Sequence, residues 1–311
     1  MNKIKVKANA NIALIKYWGK RDEELFLPTK SSLSITLPSL STFTEIELKE
    51  PEAKQDEIYI NSKLAEGKTK EKIVNFLDLF RRLYNIKNYF KINTKNEFPT
   101  GAGLASSASG FAALSLALNE ICELNLLKRE LSILARQGSG SASRSVYDGF
   151  VLWHKGEKDD GSDSYAQQLF DQNHWPEFRV LVAIVDRKQK KISSREAMQI
   201  TVKTSSSYKK WLIDSEKRIP QMIEAIKNRD FKKVGQLAEV DCLQMHQTMK
   251  DSHPSINYLQ PDTLKIIEQI KELRKNGTDC YFTIDAGPNV KILCLEKDVD
   301  QIKKFALKAE C

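Results

Sequence analysis

The chain has 311 residues, enough for one large core or two linked lobes. Its 49 Lys and Arg against 41 Asp and Glu leave a formal charge of +8, scattered rather than gathered into a tail, which suits a polyanionic small substrate at least as well as a nucleic acid. Five cysteines without C-x-x-C or metal-like spacing, and the lack of any run of about 18 apolar residues, argue against a disulfide framework and a membrane span and for a soluble protein of the reducing cytoplasm.

Period-two alternation with β-branched residues predicts strands over 3–15 and 32–48. From 69 to 84, Ile73, Phe76, Leu77, Phe80 and Leu83 share one helical face, and Phe111, Leu114, Leu118 and Ile121 repeat the pattern. "GFVLWH" from Gly149 reads as a short strand and "KGEKDDGSDS" as an exposed loop, while "FRVLVAIVD", 178–186, has the composition of a strand buried on both faces. A lobe boundary after residue 187 divides the chain into 1–187 and 188–311. Beyond it, helices are predicted over 207–228, 230–249 and 261–275, the last stopped by Asn276-Gly277, and two strands flank "DAGPN" between 278 and 296. The fold class is α+β in two lobes.

Three stretches carry chemistry. "FPTGAGLASSASGFAAL", 98–114, runs Gly101, Gly103, Ser106, Ser107 and Ser109 into a helical pattern, so small residues and the free amides of a first turn meet where an anion is favoured. It is neither a Walker nor a Rossmann spacing, and taken alone it also fits a helix start packed tightly on a neighbour. Lys16, Tyr17, Lys20 and Arg21 cluster between strands, three cations and a phenol suited to phosphates or carboxylates. Asp285 sits where Gly287 and Pro288 break a strand; the residues alone leave it either an Asx-turn residue or a carboxylate projecting into a cleft.

The stretches "NIALIKYWGKRD", "FPTGAGLASSASGFAAL", "RQGSGSASRSVYDGFVLW", "KKISSREAMQITVKTS" and "TIDAGPNV" occur in the order found in mevalonate diphosphate decarboxylases, and the chain resembles that branch of the GHMP kinase superfamily over nearly its whole length. The resemblance implies the GHMP kinase fold, a ribosomal-protein-like βα lobe and a ferredoxin-like lobe around a deep cleft. It implies an ATP-dependent carboxy-lyase with Mg²⁺ that converts mevalonate 5-diphosphate to isopentenyl diphosphate, ADP, phosphate and CO₂ in isoprenoid biosynthesis, as a cytoplasmic homodimer.

Carried over residue by residue, the resemblance makes Asp285 the group that accepts or orients the proton of the 3-hydroxyl, with Lys16 beside it. Arg144 is the fork for the substrate carboxylate, next to Ser139 and Ser141. Tyr17, Lys20 and Arg195 hold the diphosphate. Gly101, Gly103, Leu104, Ala105, Ser106, Ser107 and Ser109, with Ser194, serve ATP; which serine meets Mg²⁺ stays open.

Lys188, Lys190 and Lys191 form either a solvated linker or a loop closing over phosphate. His246 is expected to be structural and His253 a turn residue. Lys30 stands where the family usually has asparagine and is expected near the cleft mouth, strengthening anion binding or simply solvated. The alternative function is a related mevalonate kinase or phosphomevalonate decarboxylase. No aromatic and basic interleaving of the kind that binds single-stranded nucleic acid is present.

Overall fold

The computed structural model describes residues 2–97, 106–186 and 192–307. In chain order the elements are β1 (Lys3–Ile15), β2 (Lys20–Asp22), β3 (Leu27–Pro28), β4 (Ser32–Leu48), β5 (Glu57–Ile60), β6 (Lys63–Leu64), α1 (Gly67–Tyr84), β7 (Phe90–Asn96), α2 (Ser106–Ile121), α3 (Lys128–Gly138), the single turn α4 (Ala142–Ser145), β8 (Phe150–Trp153), β9 (Ala166–Phe170), β10 (Phe178–Ala183), α5 (Ser194–Thr204), α6 (Tyr208–Lys227), α7 (Phe231–Lys250), α8 (Pro261–Lys275), β11 (Cys280–Ile284), β12 (Val290–Leu295) and α9 (Val299–Leu307).

β4 is the spine of the larger sheet, whose order is β6-β5-β7-β4-β8-β9 with β1 also on β4. Its first residues pair with β8 and its last seven with β7, while β1 runs antiparallel along the other edge. Pro38 has no N–H to give the ladder, and the β1/β4 register shifts there, from Asn9 opposite Ser41 to Ala10 opposite Leu37. β1 alternates in exposure up to Lys7 and is then buried continuously from Ala8 to Ile15. Both faces are covered because α2 and α7 each pack on it.

α2 explains the small residues of its sequence. Ala108, Ala112, Ala113 and Ala117 are all buried, and the helix lies against β1 and β4 as well as α3 and α4, a space that larger side chains would overfill. α1 buries Phe76, Leu77 and Phe80 into the same core at helical spacing, each contributing about 1.5–3 kcal/mol.

The second sheet has the order β10-β12-β11 and is antiparallel throughout. The run 178–186, expected to be buried on both faces, forms a strand only to Ala183 and lies on the edge of this sheet, where Arg179–Ala183 are half-buried. The fully buried strand is β11, covered by α7 and α8. A second apolar cluster joins Leu14, Leu33, Phe150 and Phe178 to Met222, Phe231 and Leu293, so the two sheets share packing. Among the described residues no helix is long and apolar enough to cross a membrane.

Candidate active site

A cleft of about 1120 Å³ opens between the end of β1 with the segment after it, α1, the start of α2, the α3–α4 turn, the start of α5 and the β11–β12 turn. Lys16 directly follows β1 and reaches across to Asp285, just past β11. Its Nζ lies 2.7 Å from Asp285 Oδ1, the lysine 1% and the aspartate 30% exposed. Lys291, on β12, places its ammonium 3.9 Å from the other carboxylate oxygen. The strand does break after Ile284, and the Gly287 amide donates to the Asp285 carbonyl at 2.7 Å, so turn geometry and a cleft-facing carboxylate coexist in one residue.

Lys16 lies beyond the β1 ladder, and side chains hold its main chain instead. Its amide donates to Asp241 Oδ2 at 2.7 Å, and its carbonyl accepts from Lys30 Nζ at 2.7 Å. Asp241 Oδ1 in turn accepts from Ser215 and from Arg218. Lys30 is therefore not at the cleft mouth: it is 1% exposed, and its ammonium lies over the Trp211 ring at 5.2 Å. Burial is the main cause that pushes its pKa down to about 8, against the pull of Asp241 and Glu216 and helped by Arg144 and Arg218.

Arg144, on α4, is 2% exposed and, among the described residues, sees only neutral acceptors at bonding distance: Asn11 Oδ1 from Nε and Nη2, and Ser32 Oγ from Nη1. Burial lowers its pKa to about 10, while the charge of Asp285 acts in the opposite sense. A buried guanidinium bonded only to neutral acceptors, with Asp285 acting on it through space, is suited to receive an anion from the cleft. Asn11, a buried amide in an apolar strand, fixes it and donates in turn to the Ser141 carbonyl and Ser145 Oγ. Asn11 opens the stretch "NIALIKYWGKRD", and within it an amide at a buried strand position is the signal that sets it apart.

Tyr17, Lys20 and Arg195 line the same cleft, joined by Lys72 from α1. Burial pushes the Tyr17 phenol up, and its oxygen has no hydrogen-bond partner among the described residues. Gly140 makes room for that ring, which a Cβ would meet at 2.7 Å. Lys20 pairs with Glu23 at 2.6 Å; burial and Arg195 lower its pKa, with Glu23 opposing. Burial, Arg195 and Lys20 likewise lower that of Lys72. Nothing near Lys72 in sequence marks it out, because only packing of α1 brings it to the others.

Ser106, Ser107, Ser139, Ser141 and Ser194 all line the cleft, with Ser107 Oγ 3.2 Å from Ser139 Oγ. Ser109 does not: it is fully buried, and its hydroxyl bonds Thr42 Oγ1 at 2.6 Å, tying α2 to β4. Gly101, Gly103, Leu104 and Ala105, like Lys188, Lys190 and Lys191, lie outside the described residues. His246 is buried on α7, where burial and then Lys16 lower its pKa to about 4, leaving a neutral ring suited to packing.

No group of three His, Cys, Asp or Glu side chains converges among the described residues. The cleft instead offers two separate carboxylates, Asp285 and Glu71, and serine hydroxyls. That donor set fits Mg²⁺, which takes few protein oxygens and completes its shell with water and phosphate oxygens.

Comparison with known proteins agrees with this geometry. The family model described as the diphosphomevalonate decarboxylase-like N-terminal domain matches residues 8–166, and that of the mevalonate 5-diphosphate decarboxylase C-terminal domain matches 180–309. The diphosphomevalonate decarboxylase of Aspergillus fumigatus is 39% identical over 95% of this chain and 77% of its own. Mevalonate diphosphate decarboxylase from Staphylococcus aureus superposes with a TM-score of 0.94 at 40% identity, over 99% of this chain and 92% of that one. MDDEF in complex with MVAPP, AMPPCP and magnesium superposes with a TM-score of 0.92 at 42% identity, over 97% and 92%. The chain belongs to the diphosphomevalonate decarboxylase family of ATP-dependent carboxy-lyases, built on the GHMP kinase fold.

Proposed function

We propose that the chain catalyses ATP-dependent decarboxylation of mevalonate 5-diphosphate to isopentenyl diphosphate, ADP, phosphate and CO₂, with Mg²⁺ required. The observation that carries this reading is the 2.7 Å contact of Lys16 with Asp285 in a cleft that also presents Arg144. The similar MDDEF complex, which holds MVAPP, AMPPCP and magnesium, supports the substrate, the nucleotide and the metal.

In this reading the γ-phosphoryl group of ATP passes to the 3-hydroxyl of the substrate. Asp285 orients that hydroxyl and takes its proton late, as suits a weak base in a loose transition state. Lys16 offsets charge on the moving phosphoryl oxygens. The ATP phosphates lie at the first turn of α2, where the helix N-terminus and the Ser106 and Ser107 hydroxyls favour an anion. Bound magnesium supplies neutralisation of phosphate charge.

In the second stage the C3–O bond to phosphate breaks with its electron pair leaving on phosphate. The electrons of the C–COO⁻ bond then fill the electron-poor carbon as the alkene forms and CO₂ departs. Arg144, with Asn11 behind it, orients the carboxylate; gripping it harder than the transition state would oppose CO₂ loss. Tyr17, Lys20, Lys72 and Arg195 hold the diphosphate, and Ser139 and Ser141 contact the substrate chain.

The test is purified protein with ATP, Mg²⁺ and mevalonate 5-phosphate or 5-diphosphate, following ADP and labelled CO₂ together. ADP and CO₂ in equal amounts from the diphosphate are expected. ADP without CO₂ indicates a kinase, and turnover of the monophosphate alone a phosphomevalonate decarboxylase.

A cytoplasmic homodimer is part of the proposal. The four described cysteines are unpaired, as in a reducing compartment, and Ile213, Val240 and Leu243 expose apolar surface on the packed helices α6 and α7. Light scattering tests the dimer. Division into lobes 1–187 and 188–311 stays a proposal: β10 precedes that boundary in sequence but pairs with β12 in space, and limited proteolysis around 187–191 tests it.

A further inference from the structure

Four cations of the cleft each rest against an aromatic ring. The Arg144 guanidinium lies 5.7 Å from the Trp153 centroid, and Lys72 Nζ lies 5.9 Å from that of Phe111. The remaining two share one ring: Lys20 Nζ is 4.3 Å and the Arg195 guanidinium 4.7 Å from the centroid of Phe26.

Phe26 is unusual in its own right. It occupies the turn between β2 and β3 with φ of 56°, a left-handed backbone that glycine or asparagine adopts easily and a bulky side chain rarely. Its side chain is half-buried and lines the cleft. A large residue held in a disfavoured conformation, with its ring against two cations at a ligand site, is the pattern in which strain serves placement.

Two cations kept together in a partly buried cleft repel each other and lose hydration. A carboxylate between them would relieve both effects, but it would then compete with an incoming anion. Glu23 does this for Lys20 alone, from a side chain 43% exposed that is free to turn into solvent. An aromatic face attracts both cations through its quadrupole and carries no net charge, so nothing has to be displaced when the anion arrives.

We propose that Phe26 is a positioning residue of the diphosphate subsite, its ring holding Lys20 and Arg195 in place for the two phosphates of the substrate. The proposal rests on reading Lys20 and Arg195 as diphosphate contacts. It differs from simple covering of the β2–β3 turn, which any apolar side chain of similar size would provide.

The experiment compares Phe26→Leu, Phe26→Tyr and the chain with 3,4,5-trifluorophenylalanine at position 26, which keeps the ring's shape and drains its quadrupole. The readouts are KM for mevalonate 5-diphosphate, Ki for inorganic pyrophosphate, KM for ATP and kcat. Phe26→Leu is expected to raise the first two together by about tenfold, and the fluorinated ring by about threefold or more, while Phe26→Tyr stays within about twofold. KM for ATP and kcat stay within about twofold in all three, as for loss of ground-state binding.

An unchanged pyrophosphate Ki with the fluorinated ring overturns the proposal, as does a fall in kcat at constant KM. The fluorinated chain keeps the test decisive if Phe26→Leu fails to fold. Lys20→Met and Arg195→Met separate the two levels of argument. If neither raises the pyrophosphate Ki, the subsite reading itself fails; if both do and the fluorinated ring does not, only the role of Phe26 falls.

Discussion

Lys16 and Asp285, separated by 269 positions in the chain, meet with 2.7 Å between ammonium and carboxylate oxygen. One directly follows β1 and the other β11, so the contact exists only when the strands of two different sheets end at the same place. Replacing the carboxylate while keeping its shape isolates its chemistry. Asp285→Asn is expected to lower turnover by at least about 100-fold with little change in ATP affinity, measured as ADP and CO₂ release. Near-normal turnover would remove Asp285 from the mechanism.

Arg144→Lys keeps a charge but loses the planar fork that Asn11 and Ser32 hold in place. Loss of a charge-assisted bond is worth about 1.5–3 kcal/mol, so CO₂ release should fall by about 10- to 100-fold. An unchanged rate would mean that the carboxylate is held by another group.

Asp241 receives the Lys16 amide, Ser215 and Arg218 on one fully buried carboxylate. Asp241→Asn leaves the Arg218 charge without its partner and is expected to lower unfolding free energy by about 3–5 kcal/mol in urea titrations. Stability within about 1 kcal/mol of the parent would show that the network relaxes around the amide.

Lys30 gives a pH signature. Its pKa falls from 10.5 in the unfolded chain to about 8 in the fold, so the unfolded state binds more protons between those values. Stability contributed through this group therefore rises with pH from about 8 to 10.5, and the penalty of its buried charge is fully present below pH 8. Between pH 7 and pH 10 the stability of the parent relative to Lys30→Met should improve by about 2–3 kcal/mol, since a tenfold change in proton affinity between the two states corresponds to about 1.36 kcal/mol. Denaturant titrations at both pH values check this; parallel pH profiles for the two proteins would contradict it.

Regular periodicity makes β1, β4, α1, α2 and the helices α6, α7 and α8 legible, because each repeats its apolar residues at strand or helix spacing over many residues. α3 is not legible in this way: Leu131, Leu134 and Ala135 make a narrow stripe, and the helix also buries Arg136, a residue that reads as surface. Arg136 is held by the carbonyls of Leu25, Gly161 and Ser164, none of which is near it in sequence. The run 178–186 misleads because apolar content does not distinguish a central strand from an edge strand packed by neighbours.

Within the site, motifs mark Lys16, Arg144 and Asp285, and Asn11 lies in the same stretch as Lys16, but nothing in the sequence pairs each with the residues that hold it. Ser32, Asp241 and Lys72 act through contacts that the fold creates, and no local pattern announces them. Lys30 shows the same limit from the other side. In sequence it is one more positive charge near a cleft, and only the closure of α6 and α7 over it turns that charge inward.

The continuous burial of β1 from Ala8 to Ile15 has a consequence for how this gene tolerates change. A one-residue insertion or deletion in that strand would invert every following side chain, and with both faces packed neither orientation has anywhere to go. It would also shift Lys16 by one strand repeat, about 3.3 Å, beyond the reach of a bond to Asp285. Length variation should be absent between residues 8 and 16 even where substitutions are accepted, leaving a gap in any indel-tolerance map of the chain.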